Sequence, residues 1–438
     1  MIKIFRENTI CYDRAILKSI FTSKEKMGRH IFDGCVEELK NGGTIVFDAE
    51  IYNMPSDKNG VGEYLRELFE SLSVYEVLEE AKSWDGAWSI VYITPTGSIY
   101  AFTDPLGIKQ LYFNNHGEIS STIIPIVEDF EDVDLLYKSE VYKWGYNTDD
   151  LTPWNTVKRI LPNYLYCFVG SKVLNKGFYP YYDWKGPVNL VTLHNTLLKA
   201  TSGRVNYPTS SKITVLLSGG LDSSIVASLT KESGVTPVLV TIANSGEVEF
   251  AQLMADSLGL PLGKIEYQIS DDDILDALLV NECPVDLGSM VPQHAMMKAL
   301  WGLDIITGDG ADELFGGYRR AKEYDSQHSD VFQELTFYHL PRIQKMADRY
   351  DVRIRSPFTS QEVVKRALML EWQDRIDKQI LRDTFLPNIP TKIILRDKKP
   401  LKNPALLENP SEYKQRIFKL FYEVLIPRLS EKYNSKKQ

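Results

Sequence analysis

Apolar residues recur at three- and four-residue spacing over 61–72 and again over 74–82, which predicts two amphipathic helices. Around them lie short apolar runs of strand length, at 43–47, 87–93, 108–113 and 164–169. Residues 98–103 form another, and the turn Thr94-Pro95-Thr96-Gly97 predicts that it pairs with 87–93. A shorter apolar run, 1–5, opens the chain. The aromatic stretch 178–184, followed by Lys185-Gly186-Pro187, reads as the exit from this first part. A helical pattern then covers 190–205. Beyond it the pattern changes to strand (213–217), glycine turn, helix (222–232), strand and helix, the alternation of a parallel sheet with covering helices. The expected fold is therefore α+β in front, residues 1–185, and α/β behind, residues 188–438. No internal repeat interrupts this order.

Composition changes the picture little. At 438 residues two domains are the natural expectation, and 43% hydrophobic with 25% charged residues suffices for buried cores. The net charge of −9 argues against a general nucleic-acid binder, which needs a basic face. The Lys-rich stretch 431–438 reads as a solvated terminus. Four cysteines, Cys11, Cys35, Cys167 and Cys283, show no metal-like spacing and fit buried thiols in a reducing compartment. No window has the length and apolarity of a membrane span, and no cleavage-site pattern opens the chain. The expected location is cytoplasmic, with no membrane and no nucleic-acid partner.

Candidate chemistry begins at Ser218-Gly219-Gly220-Leu221-Asp222-Ser223-Ser224. A strand, a glycine turn and a helix start make a phosphate cradle, because glycines admit the ligand to the backbone and free N–H groups favour negative charge. No Gly-Lys-Ser/Thr closes the loop, so it is not a Walker A. Asp222 is either a dipole-stabilised first-turn carboxylate or a ligand for Mg²⁺ held against phosphates. A second acidic cluster, Gly308-Asp309-Gly310-Ala311-Asp312-Glu313, follows the apolar residues 305–307. Ligands gather at the C-terminal ends of parallel strands, so the two loops could face one pocket.

These motifs carry a resemblance. SGGLDSS matches the pyrophosphate loop of the N-type ATP pyrophosphatases. Followed by GDGADELFGGY, it resembles the synthetase domain of asparagine synthetases and the related β-lactam synthetases. Pro284, Ser289 and Pro292 fall at that family's Pro…Ser…Pro segment. The resemblance implies that Ser218, Gly219, Gly220, Ser223 and Ser224 hold the phosphates of ATP. It also implies that Asp222 and Asp312 hold Mg²⁺ and pyrophosphate, and that Leu216, Thr241 and Gly308 lie by the adenosine. Asp309 takes an acceptor-side position that is usually acidic in asparagine synthetases and tyrosine in the β-lactam enzymes. Lys378-Gln379-Ile380-Leu381-Arg382 and Arg396-Asp397-Lys398 match the KxLLR and RxK segments, which makes Lys398 the implied catalytic lysine and Lys399 the fallback. On the residues alone, that stretch also reads as a solvated charge run. Two departures lie on the acceptor side: Arg353 and Cys283 stand where the family commonly has glutamate.

The front half resembles the same family at 46–53 (VFDAEIYN), 103–112 (TDPLGIKQLY) and 157–162 (VKRILP). The implied fold is an Ntn-type, four-layered class II glutamine amidotransferase domain. The family opens Met-Cys-Gly-Ile-Phe, whereas this chain reads Met1-Ile2-Lys3-Ile4-Phe5, and Asp48-Ala49 replaces the oxyanion-hole Asn-Gly. A carboxylate there repels a developing oxyanion. Cleavage after Ile10 to expose Cys11 would discard the matching 1–5 strand. The expectation is a degenerate glutaminase, kept as support, as a homodimer surface or as a relict. The whole then reads as an ATP-dependent, AMP-forming ligase that activates a small carboxylic acid as an acyl-adenylate. Nitrogen would come from ammonia, an amine or a separate glutaminase. Intramolecular ring closure and a nucleotide-binding pseudoenzyme subunit are the alternatives.

Overall fold

The computed structural model describes residues 3–4, 10–11, 35–169, 172–177, 189–208, 211–243, 247–285, 287–318, 332–396 and 410–437. Residues up to Gly177 supply two antiparallel sheets, and residues from Thr214 onward supply a parallel one. The parallel sheet, with the covering helices that alternate with its strands, is the rear half that the sequence pattern predicts.

The centre of the front half is the hairpin of Thr44–Ile51 and Gly86–Ile93, paired over its whole length. Ile93 then pairs with Ile99 across the predicted turn, as the sequence pattern requires. Alternation sends Ile45, Phe47 and Ile51 to one face, where they pack under the helices Val61–Ser71 and Val74–Ala81 with Trp84 and Trp88. The opposite face carries Val46, Val91 and Ala101 onto Leu111, Ile119 and Ile160 of the five-stranded sheet. Asp48 and Glu50 share the Val46 face by the same period. The Val74–Ala81 helix begins where Ser73 and Glu76 close a complete capping box.

One predicted strand is shorter than its apolar pattern. Only Tyr112–Asn114 of the 108–113 run is a strand. The buried Asp104 carboxylate accepts the N–H groups of Leu106, Ile108 and Lys109 at 2.9–3.1 Å, and so bends this segment into a turn. A side chain has taken the hydrogen bonds that a ladder would have used. The exit segment 178–184, Lys185, Gly186, Pro187, residue 2 and the side chain of Cys11 lie outside the described residues.

In the rear half, the Leu190–Val205 helix starts at an Asn189–Thr192 capping box. The parallel sheet has the strand order Leu262–Ile265, Val238–Ile242, Thr214–Leu216, Asp304–Ile306, Arg353–Arg355. The chain leaves Thr214–Leu216 toward one edge and returns at Asp304–Ile306 on the other side. The loops after these two adjacent strands therefore diverge and leave a crevice between them, the topological switch point of an open α/β sheet. Val215, Leu217, Ile225, Val226 and Leu229 are wholly buried beneath it.

Polar contacts join the halves at several points. Arg204 pairs with Asp85 at 2.9 Å, and Arg355 with Glu50 at 2.7 Å. Lys109 lies 2.9 Å from Asp48 and 3.2 Å from Asp348 of the Leu340–Arg349 helix. The buried Glu282 carboxylate accepts the N–H groups of Ile123 and Ile124 at 2.9 and 2.8 Å and takes Lys345 at 2.9 Å. No helix among the described residues is long and apolar enough to cross a membrane.

Candidate nucleotide and acceptor site

The glycine loop sits where the Thr214–Leu216 strand ends and the Leu221–Glu232 helix begins. Gly219 has φ +77°, and a Cβ there would lie 2.8 Å from the Glu247 carbonyl and 2.9 Å from the Ala251 nitrogen. Only glycine fits both the turn and the approach. Ser218 N–H donates to Ser223 Oγ at 3.1 Å, and Ser223 Oγ donates to the Gly220 carbonyl at 3.2 Å, which fixes the loop's curl. The helix has no side-chain cap at Gly220. A helix start of this kind suits an anion. The Ser224 and Thr241 hydroxyls are buried and hydrogen-bonded to nothing among the described residues, which fits a ligand that brings its own oxygen atoms.

The second loop meets the first. A Cβ on Gly308 would lie 2.7 Å from the Asp222 Cβ, so the two switch-point loops touch here. Asp222 and Asp312 converge on one cation: Lys378 Nζ is 2.5 Å from an oxygen of each. Burial alone would depress the Lys378 ammonium. The two carboxylates outweigh it and push its pKa above the ordinary lysine range. Two converging carboxylates beside a phosphate loop fit a magnesium ion, which binds one or two carboxylates together with phosphate oxygens. Among the described residues no group of three or more His, Cys, Asp or Glu side chains could hold a metal.

Lys378 is held there by unusual backbone. Asp377 and Lys378 both have positive φ, 58° and 59°. Their N–H groups donate to the Gly316 and Phe315 carbonyls at 2.9 Å each, which pins the turn against the acidic loop. Gly317 must be glycine, because a Cβ would overlap Asp312 Oδ1 and Lys378 Cε. From the other side Arg396 donates to the Gly219 carbonyl at 2.8 Å, pairs with Glu247 and covers the Phe250 ring. Lys398 and Lys399 lie outside the described residues.

Asp309 follows the Asp304–Ile306 strand in the second loop. Thr307 Oγ1 donates to its carboxylate at 2.6 Å, and burial, opposed by this bond, pushes its pKa up. Behind it Glu313 takes the Tyr318 hydroxyl, with His339 Nε2 at 3.5 Å. Arg353 lies at the start of its strand, 4.0 Å from Asp304. Cys283 is buried in the core beside Tyr137, where burial raises its thiol pKa. Sequence reading named the carboxylates, the loop and the KxLLR match. It did not assign Lys378 to the carboxylate pair, although the motif marked the residue.

A glycine loop at a switch point, with two carboxylates closing on it, is the arrangement of a phosphate-binding α/β protein. The Asparagine synthase family model matches residues 193–334 and 323–431, together more than half of the chain. The chain belongs to the asparagine synthase family. It is similar to asparagine synthetase B [glutamine-hydrolyzing] of Escherichia coli (strain K12), 26% identical over 255 residues, which are 50% of this chain and 46% of the relative. It is also similar to asparagine synthetase [glutamine-hydrolyzing] 3 of Arabidopsis thaliana, 26% identical over 249 residues, 48% of this chain and 43% of the relative. The matched stretch spans less than half the length of each relative.

Proposed function

We propose that this chain is an ATP-dependent ligase that forms an amide through an acyl-adenylate and releases AMP and pyrophosphate. The observation that carries this reading is the convergence of Asp222 and Asp312 on one point beside the uncapped helix start. The carboxylate of a small acid attacks the α-phosphorus of ATP, pyrophosphate leaves, and a nitrogen nucleophile then displaces AMP from the acyl carbon. Ser218, Ser223 and Ser224, with the loop N–H groups, hold the β- and γ-phosphates. Leu216, Thr241 and Gly308 border the adenosine. Asp222 and Asp312 hold Mg²⁺, which when bound neutralises the departing pyrophosphate. Lys378 supplies a fixed positive charge beside the same carboxylates, and Lys398 supplies one at the α-phosphate and acyl oxygens. Asp309 orients the acid and its nucleophile.

The nitrogen comes from ammonia or an amine, free or delivered by a separate glutaminase. The family resemblance sets Asp48 where a glutaminase needs an oxyanion donor, and its carboxylate, paired with Lys109 at 2.9 Å, brings none. The test is pyrophosphate–ATP exchange, screened against aspartate and other small carboxylic acids, followed by turnover with ammonia or glutamine as sole nitrogen source. Acid-dependent exchange with turnover on ammonia supports the reading. Exchange with no acid in the screen favours a nucleotide-binding subunit, and efficient glutamate release by the pure protein overturns the loss of glutaminase. Product mass separates nitrogen addition from ring closure, which loses water and adds no nitrogen.

A further inference from the structure

We infer that Glu50, in the front half, is a positioning residue for the acceptor-side loop 307–309 of the rear half. The inference rests on the proposed ligase reading for the loop's role, and on the following contacts for its geometry.

Glu50 meets Arg355 with both oxygens, Oε2 taking Nε at 3.0 Å and Oε1 taking Nη2 at 2.7 Å. This is the two-pronged form that fixes a guanidinium in orientation as well as in place. The Arg355 side chain is fully buried, and its remaining donors go to the carbonyls of Arg204 at 3.2 Å and Pro208 at 3.4 Å, with Asp304 at 3.5 Å. Arg355 ends the strand beside Asp304–Ile306, and its carbonyl accepts the Thr307 N–H at 2.9 Å. The next residue, Ser356, donates its hydroxyl to the Asp309 carbonyl at 2.7 Å. One dipeptide, Arg355-Ser356, therefore grips both ends of the segment that carries the Asp309 carboxylate. Thr307 completes the grip by bonding that carboxylate directly.

The front half reaches this dipeptide through Glu50. Tyr52 donates its hydroxyl to Glu50 Oε2 at 2.9 Å, and Tyr52, Arg355, Ser356, Thr307 and Asp309 line one cavity between the halves. A buried guanidinium deprived of its best carboxylate must move toward Asp304 or toward water. Either movement drags the strand end and the loop it holds. The Arg204–Asp85 pair is the comparison: it joins the halves with comparable geometry from the Leu190–Val205 helix and meets this network through the Arg204 carbonyl on Arg355 and the Arg204 guanidinium over the Tyr52 ring, whereas Glu50 grips the guanidinium of the residue that bonds Thr307.

The experiment uses the full chain with Glu50→Gln, Ser356→Ala and, as the comparison, Asp85→Asn. Two readouts are taken. The first is hydrogen exchange resolved to peptides over 307–313 and 218–224. The second is acid-dependent pyrophosphate–ATP exchange, with KM for ATP and for the acid and kcat measured separately. Glu50→Gln and Ser356→Ala are expected to speed hydrogen exchange over 307–313 while leaving 218–224 unchanged. They should lower kcat over the acid's KM by about ten- to a hundredfold, the range for a catalytic group displaced by about 1 Å, and keep the KM for ATP within about twofold. Asp85→Asn should show neither change. Equal effects of Glu50→Gln and Asp85→Asn, or normal exchange over 307–313 in Glu50→Gln, would overturn the inference. Should Glu50→Gln not fold, Ser356→Ala, which deletes one hydroxyl at the last link, decides alone. A wild-type chain with no acid-dependent activity sinks the ligase reading, while the hydrogen-exchange comparison still decides the relay.

Discussion

Lys378 shows how much one residue can depend on its surroundings. Its ammonium is bracketed by Asp222 and Asp312, and its backbone sits in the left-handed region that a lysine seldom adopts. Such backbone persists only where the neighbouring contacts over-determine it, here the two N–H bonds to residues 315 and 316. Replacing it with methionine keeps the stem and deletes the charge. Pyrophosphate–ATP exchange is expected to fall roughly 10²- to 10³-fold, the cost of removing one preorganised group that stabilises developing charge. An exchange rate within a few-fold of the unmodified protein would show that the lysine is only a neutralising partner. Asp309 was legible from the motif, but its raised pKa was not, because the burial that raises it, against the opposing Thr307 hydrogen bond, comes from elements that the fold packs around the loop.

At the scale of elements, one glycine lets the two loops touch and another lets the first loop close on the helix beside it. Gly308 abuts Asp222, and Gly219 abuts the start of the Val248–Leu258 helix. Gly308→Ala places a Cβ 2.7 Å from the Asp222 Cβ and 3.1 Å from its backbone carbon, which forces the loops apart without touching the core. ATP affinity by calorimetry is expected to weaken at least about tenfold while the unfolding midpoint changes little, since a preorganised phosphate site loses its donors when its backbone shifts. Unchanged affinity would mean that the phosphates do not bind between these loops. The helices followed their sequence pattern closely, as at 190–205 and 74–82, because capping residues and three–four spacing are local signals. The 108–113 strand did not, because the carboxylate that bends it, Asp104, competes for the same N–H groups.

For the whole molecule, stability couples to buried ionisable groups. His294 is wholly buried, shares a 2.7 Å hydrogen bond with the Tyr350 hydroxyl, and has its pKa pushed down to about 4 from 6.5 by burial. A depressed histidine contributes stability that is fully present above about pH 6.5 and is lost as pH falls toward 4. The unfolded chain protonates first, so roughly 3 kcal/mol disappears across that window. Urea unfolding at a series of pH values should show this slope, and His294→Gln should flatten it. An identical slope in the variant would place the titration elsewhere. The ion pairs between the halves add a second coupling, since Arg204 and Arg355 are buried and each is neutralised by a carboxylate from the front half. Removing either carboxylate while the interface stays closed would strand a buried guanidinium at a cost of several kcal/mol.

Local order carries the part of this protein that its sequence alone determined. The glycine turn between a β-branched run and a helix, the acidic turn after a second apolar run, and the periodicities of strands and helices are all consequences of neighbouring residues. The partners of the charged residues were decided only in three dimensions. Nothing near Lys378 in sequence announces Asp222, and nothing near Glu50 announces Arg355. Neither pair comes from neighbouring strands: Asp222 opens a helix and Lys378 ends a turn, while Glu50 and Arg355 belong to different sheets, so the packing of one element on another brings each pair together. Burial then makes those meetings count, because a charge removed from water must be matched by whatever the fold has put beside it.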